Sequence, residues 1–158
     1  MNTFKTHIAL RVSNLERSVA FYQVLFQTQP AKHKTGYAKF DIANPALNLT
    51  LNVSETPLQS GSLSHLGVQV DSTQTVVDTI TRLKAAGLNP QEDFNTDCCY
   101  ALQDKAWIRD PDDHRWEIFV VHVDDTAPEL NIDPVVAKVP QPEESAAGRN
   151  CCAPTCCA

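Results

Sequence analysis

Two stretches of the chain alternate apolar and polar residues with a period of two, and they match each other at an offset of 58 residues. His7-Ile8-Ala9-Leu10-Arg11-Val12-Ser13 lies over His65-Leu66-Gly67-Val68-Gln69-Val70-Asp71. Such alternation suits strands buried on one face, and each of these strands opens on a histidine. Ser13 and Asp71 then read as helix N-caps, with Glu16 and Gln74 three residues later completing capping boxes. The period next changes to that of a helix. Leu15, Val19, Tyr22 and Phe26 form one apolar stripe, Val76, Val77, Ile80 and Leu83 form the other, and Gly87 supplies a C-terminal stop. Strand-like runs come after each helix: Gly36 to Ile42 and Leu47 to Val53 in the first half, Tyr100 to Arg109 and Arg115 to His122 in the second. Asn44-Pro45 and Asp110-Pro111-Asp112-Asp113 punctuate them as turns. These runs are two of the three strands after each helix, and each half reads as β-α-β-β-β. The repeat predicts an α+β fold of two tandem βαβββ modules, about 4–55 and 62–123, within one domain covering 1–123.

Beyond Val123 the pattern stops. Five of the ten prolines fall there and no aromatic residue does, so 124–158 is expected to be a disordered tail rich in proline and cysteine. The tail holds six acids and two bases, which accounts for −4 of the net charge of −6 and leaves the body near neutrality. That balance argues against a nucleic-acid partner, which would call for a basic face. No apolar run approaches the roughly 18 to 20 residues that span a bilayer, and Met1 to Lys5 lacks the basic-then-apolar order of a secretory signal. A cytoplasmic protein with no membrane partner is the expectation.

The six cysteines occur as three adjacent pairs, Cys98-Cys99, Cys151-Cys152 and Cys156-Cys157. A disulfide between neighbours joins no distant parts of a chain, so these pairs do not form a staple framework. In a reducing compartment adjacent thiols read better as ligands for a soft metal or metalloid. Trivalent arsenic with one organic group has two exchangeable oxygen ligands, and two thiolates can replace both. Cys98 and Cys99, at the start of a strand, are the candidate pair; a buried or incidental dipeptide is the bland alternative. The tail pairs are candidate metalloid binders. Lys105, further along the same strand, either lowers a cysteine pKa, contacts an anionic substrate group, or is a solvated surface lysine.

The repeat also places His7 and His65 at matching points of two related strands, where they can converge if the modules pack about a pseudo-twofold axis. Glu117, within Trp116-Glu117-Ile118-Phe119, is the natural third ligand, and the matching position in the first half is Thr50. Two imidazoles and one carboxylate with open positions suit Fe(II) enzymes that use dioxygen, although the same groups can hold catalytic Zn(II). His33, His114 and His122 have ordinary settings: among lysines, after an acidic turn, and at a strand end.

From about Thr6 to Val121 the sequence resembles the vicinal oxygen chelate (glyoxalase/bleomycin resistance/extradiol dioxygenase) superfamily. Within it, the chain looks like the arsenic- and cadmium-inducible carbon-arsenic lyases. The most specific segment is Asp97-Cys98-Cys99-Tyr100-Ala101-Leu102-Gln103-Asp104-Lys105-Ala106-Trp107, and next come the His7 strand with Phe21-Tyr22, Leu63-Ser64-His65-Leu66-Gly67-Val68, and Trp116-Glu117-Ile118-Phe119. The resemblance implies paired βαβββ modules forming a cup around Fe(II), with His7, His65 and Glu117 as its ligands. It also implies that Cys98 and Cys99 bind arsenic. The implied activity is oxygen-dependent cleavage of the carbon–arsenic bond of methylarsonite or reduced aromatic arsenicals, releasing arsenite, by a monomer or homodimer. Two other readings stay open: a Zn or Ni glyoxalase-like enzyme of the same fold, and a non-enzymatic arsenic- or cadmium-binding protein.

Overall fold

The computed structural model describes residues 4–56, 62–98, 101–124 and 126. The first module contains β1 (Thr6–Val12), α1 (Leu15–Phe26), β2 (Lys32–Lys34), β3 (Tyr37–Ile42) and β4 (Leu47–Val53). The second contains β5 (Leu66–Gln69), α2 (Thr73–Ala85), β6 (Gln91–Cys98), β7 (Ala101–Arg109) and β8 (Arg115–Val123). The two sheets have the same order, β1-β4-β3-β2 and β5-β8-β7-β6, and in each the first strand runs parallel to the last while the other pairs are antiparallel. The βαβββ reading of both halves is thereby met. Of the expected tail only residues 124 and 126 are described, and its four cysteines lie outside the described residues.

The helices begin one residue later than the capping pattern predicts. Asn14 and Ser72 are the N-caps, their side chains accepting from the backbone N–H of Arg17 and Thr75. Ser13 and Asp71 remain in the preceding bends, where Asp71 accepts a hydrogen bond from Thr75 Oγ1. The predicted C-terminal stop is present: Gly87 has a left-handed φ of 78° and its N–H bonds to the Lys84 carbonyl at 2.9 Å. Helix α1 has no basic residue in its last turn. Arg82 of α2 compensates, donating to the carbonyls of Val24 and Leu25 at 3.1 and 3.2 Å, so a cation from one module satisfies the negative end of the other's helix.

The modules share one core. Leu10, Val12, Tyr22 and Leu49 of the first meet Leu83, Ile108, Trp116 and Ile118 of the second. Tyr22 donates to Asp110 at 2.6 Å and accepts from the Trp116 indole at 3.2 Å, carrying a buried polar network across the junction. Asp110 also accepts from the backbone of Asp112 and His114 and pairs with the His114 ring at 2.9 Å. Burial opposes ionisation of Asp110, but the bonds from His114 and Tyr22 hold its carboxyl below the usual range. The same pairing raises the His114 pKa, while burial, reinforced by Asp110, pushes the Tyr22 phenol well up. Along β1, Ile8, Leu10 and Val12 turn toward this core while His7, Ala9 and Arg11 are exposed, as the two-residue strand period requires.

Candidate functional site

The register confirms the equivalence read from the repeat. Ala9 pairs with Thr50 across β1 and β4, and Gly67 pairs with Glu117 across β5 and β8. Thr50 and Glu117 therefore occupy the same place in their modules, one residue type a weak ligand and the other a strong one.

In the second module His65 and Glu117 come together. His65 stands immediately before β5, with its Nε2 3.7 Å from Glu117 Oε2. Its Nδ1 is 2.9 Å from Ser64 Oγ. If Nδ1–H donates to that hydroxyl, the Nε2 lone pair is left facing the carboxylate, the tautomer a metal ligand needs. The His65 ring meets the Trp107 ring edge-on, with centroids 5.2 Å apart. Gly67 lies beneath: a Cβ there would come within 3.7 Å of Glu117 Oε2 and 3.4 Å of the Phe119 ring, so a methyl fits and a branched side chain does not.

The other oxygen of Glu117 is engaged by Lys105, whose ammonium lies 2.9 Å from Oε1. Lys105 is only 1% exposed and Glu117 8%, so the reading of Lys105 as a solvated surface lysine is overturned. Trp107, two residues along β7 and on the same face, lies beneath the Arg115 guanidinium at 3.7 Å. Its Nε1 is buried without a hydrogen-bond partner among the described residues. The site thus contains one carboxylate, one imidazole, two cations and an indole. Sequence reasoning missed Trp107 and Arg115. Their signal was the two-residue spacing that puts Lys105 with Trp107, and Arg115 with Glu117, on common strand faces.

His7 is placed differently. It is exposed on β1, opposite Asn48 of β4, whose Oδ1 is buried and unpartnered among the described residues. The core that joins the modules covers the opposite face of β1. Among the described residues no three His, Cys, Asp or Glu side chains group as metal ligands; the structure brings His65 to Glu117 but does not bring His7 to them. Cys98 ends β6, its backbone paired with Ala101 of β7, rather than beginning a strand. Its side chain, Cys99, and Cys151, Cys152, Cys156 and Cys157 lie outside the described residues.

The three remaining histidines are all paired with carboxylates: His33 with Glu16, His114 with Asp110, and His122 with Asp104. A cleft of about 690 Å³ bordered by Phe26, Asn44, Val68, Asp78 and Arg82 includes none of the predicted site residues. No described helix is long and apolar enough to cross a membrane.

Residues 6–118 match the family model for the Glyoxalase/Bleomycin resistance protein/Dioxygenase superfamily. The chain is 43% identical over 150 residues to the trivalent organoarsenical cleaving enzyme of Bacillus sp. (strain MD1), covering 94% of this chain and 90% of that one. It is 46% identical over 120 residues to the cadmium-induced protein CadI of Mycobacterium tuberculosis (strain ATCC 25618 / H37Rv), covering 76% and 78%. Among solved structures, a mutant of the fosfomycin resistance protein FosX from Listeria monocytogenes, complexed with Mn(II) and a dihydroxypropylphosphonic acid, superposes with a TM-score of 0.56. That match has 23% identity and covers 75% of this chain and 90% of the other, a likeness of fold.

Proposed function

Because the chain belongs to the glyoxalase/bleomycin resistance protein/dioxygenase superfamily, we propose that it is an enzyme that cleaves the carbon–arsenic bond of trivalent organoarsenicals, releasing arsenite in an Fe(II)- and dioxygen-dependent reaction. The observation that carries the reading is the meeting of His65 and Glu117 in the module whose β6–β7 pair also bears Cys98. Relatives bearing the name trivalent organoarsenical cleaving enzyme support the substrate class.

The donor set fits a divalent cation in part within one chain. His65 is oriented by Ser64, and Glu117 has one oxygen toward His65 and the other on Lys105. His7 is the third donor in this reading. Since the modules are joined through their apolar faces and His7 is exposed, a second copy of the chain is the proposed means of bringing it to the His65–Glu117 pair, giving a homodimer. Fe(II), when held by these groups, supplies the capacity to react with dioxygen that no side chain possesses.

Around that centre the chain's own residues bind and orient. Cys98 and Cys99 displace the two exchangeable oxygens of the arsenical, leaving its carbon–arsenic bond directed outward and gaining the rate advantage of proximity. Lys105 holds the second oxygen of Glu117, and Arg115 covers the Trp107 ring that meets His65. One methylarsonous acid and one dioxygen contain the atoms of one arsenous acid and one formaldehyde, so for that substrate the overall balance requires no external reductant. Cys151, Cys152, Cys156 and Cys157 gather metalloid for the core.

The test is anaerobic reconstitution with Fe(II), then addition of methylarsonite with and without oxygen and arsenic speciation of the products. Arsenite is expected only when iron and oxygen are both present, and Cys98→Ser or Cys99→Ser is expected to abolish turnover while leaving iron binding intact. Full activity in either serine variant refutes the thiolate role. The similarity to a cadmium-induced protein favours a second reading, a non-enzymatic sequestering protein; tight arsenical or cadmium binding without cleavage is its signature.

A further inference from the structure

Strand β7 is flanked by irregular pairing on both sides at one point. On the β6 side Asp93 pairs with Lys105 and Thr96 with Gln103, so Phe94 and Asn95 together oppose Asp104. On the β8 side Gln103 pairs with Val121 and Leu102 with Val123, so His122 has no opposing residue. These are two β-bulges close together along β7, one opposite Asp104 and one at the Leu102–Gln103 step, each adding a residue to the strand beside β7.

Both bulges are held by the same carboxylate. Asp104 Oδ1 accepts the backbone N–H of Asn95 at 2.7 Å, and Oδ2 lies 2.7 Å from His122 Nε2. Thr73, the first residue of α2, also donates its hydroxyl to Oδ2. Asn95 has a left-handed φ of 51°, a conformation a non-glycine residue keeps only when its surroundings hold it. Asp104 is buried, and removing it would leave the Asn95 amide, the bulged His122 and the end of α2 without their common acceptor.

The β6 bulge sets the register of the strand's last three residues. Past Asn95, Thr96 pairs with Gln103, Asp97 with Leu102 and Cys98 with Ala101. Without the extra residue each of these would move one place, and a shift of one residue exchanges the two faces of a strand. Cys98 would lose its place opposite Ala101, two residues from Gln103 and four from Lys105 on alternate positions of β7. We propose that Asp104 is a positioning residue for the cysteine pair: by pinning the bulges on both sides of β7 it fixes the register in which β6 delivers Cys98, the first of the pair. The proposal rests on the arsenical-binding reading for its consequence, though not for its geometry.

The experiment uses the full chain with Cys151, Cys152, Cys156 and Cys157 each changed to Ser, so that only Cys98 and Cys99 react. Asp104→Leu, which removes both acceptor oxygens at similar size, and His122→Phe are compared with the parent in three measurements. Phenylarsine oxide affinity reads two thiolates held together, iodoacetamide alkylation reads each thiol singly, and hydrogen exchange reads the amides from Asn95 to Cys98. Asp104→Leu is expected to weaken phenylarsine oxide binding tenfold or more and to deprotect the Asn95 amide, while alkylation rates stay within about twofold. His122→Phe, which removes one of the clamps, is expected to fall between parent and Asp104→Leu. Unchanged Asn95 protection in a folded Asp104→Leu overturns the proposal, as does a parallel loss of bidentate and single-thiol reactivity, which marks a general structural defect. If the parent itself fails to bind phenylarsine oxide through both thiols, the arsenical reading fails, and exchange at Asn95 still decides whether Asp104 pins the register. If Asp104→Leu does not fold, His122→Phe with unchanged exchange and unchanged dithiol affinity overturns it.

Discussion

Replacing Lys105 with Met keeps most of the length of the side chain and removes its charge. Glu117 would then keep a carboxylate that is 8% exposed, with its Oε1 deprived of the ammonium 2.9 Å away. Removing one member of a buried ion pair costs about 3–5 kcal/mol, because the surviving charge is desolvated without compensation. In a domain of this size that is a fall in Tm of roughly 10 °C. Glu117→Gln, by the same reasoning, strands the ammonium and costs a similar amount. The double variant leaves no buried charge at this pair and should be far more stable than the sum of the single losses predicts, with a coupling of about 3 kcal/mol. Urea unfolding of chelator-treated protein, monitored by circular dichroism and arranged as a double-mutant cycle, measures this directly. Metal gives a second readout: a divalent cation supplies Glu117 with a new counter-charge, so saturating Fe(II) or Mn(II) should raise the Tm of Lys105→Met more than that of the parent. Single losses that add to within about 0.5 kcal/mol, or a metal-induced shift no greater in the variant, would refute the claim that Lys105 is the compensating charge for Glu117.

The same physics sets three further outcomes. His114→Gln should destabilise most at mildly acidic pH. Its raised pKa gives stability that is complete below the unfolded value near 6.5 and lost as pH rises through the higher folded value, while the depressed Asp110 pKa removes its share only as pH falls through that lower value; Tm measured against pH for parent and variant should converge on the alkaline side. Tyr22→Phe removes the donor to Asp110 and the acceptor of the Trp116 indole and should cost about 1–3 kcal/mol in urea unfolding, with site chemistry unchanged. Gly67→Val should lower divalent metal affinity at least tenfold by crowding Glu117 Oε2, whereas Gly67→Ala should stay near parent, as titration of the apoprotein with Mn(II) can show.

What was legible in the sequence was whatever burial writes as a period. β1, β3, β4, β7 and β8 carry apolar residues on their core faces and were readable as strand-like runs. β2 is Lys-His-Lys, fully exposed, and β6 runs Gln-Glu-Asp-Phe-Asn-Thr-Asp-Cys; neither has an apolar face, and the backbone pairing that makes them strands comes from β3 and β7. The repeat announced His65 and Glu117 because equivalent positions in two modules must share a register, and Ala9–Thr50 against Gly67–Glu117 bears this out. The Lys105–Glu117 pair was not readable, since a lysine directly after Gln103 and Asp104 looks solvated until β8 is laid beside β7. Nor were the bulges, because the extra residue of β6 sits in a polar strand and His122 lies near the end of β8, past most of its apolar run.

The matched positions also show how the modules have diverged in chemistry while keeping one frame. Thr50 pairs with Lys39 where Glu117 pairs with Trp107, and Asn52 pairs with Tyr37 where Phe119 pairs with Lys105. The first module therefore has a hydroxyl, an amide and a phenol at the places where the second has a carboxylate, an aromatic ring and a buried ammonium. A threonine hydroxyl does not offset the charge of a divalent cation, so at these matched positions the first module offers only the His7 imidazole, and the anion comes from Glu117 alone. A centre built from His7, His65 and Glu117 is then asymmetric by construction. In the proposed centre the second module would supply two ligands beside the neighbouring cations, and the first one imidazole from the exposed face of an edge strand. That division predicts that His7→Ala weakens metal binding while leaving the His65–Glu117 geometry and the apoprotein's stability intact. His65→Ala and Glu117→Gln should abolish binding, and Glu117→Gln should also change the stability of the apoprotein. Metal titrations and urea unfolding of the three variants separate the two contributions, and an equal effect of all three on apoprotein stability would refute the asymmetry.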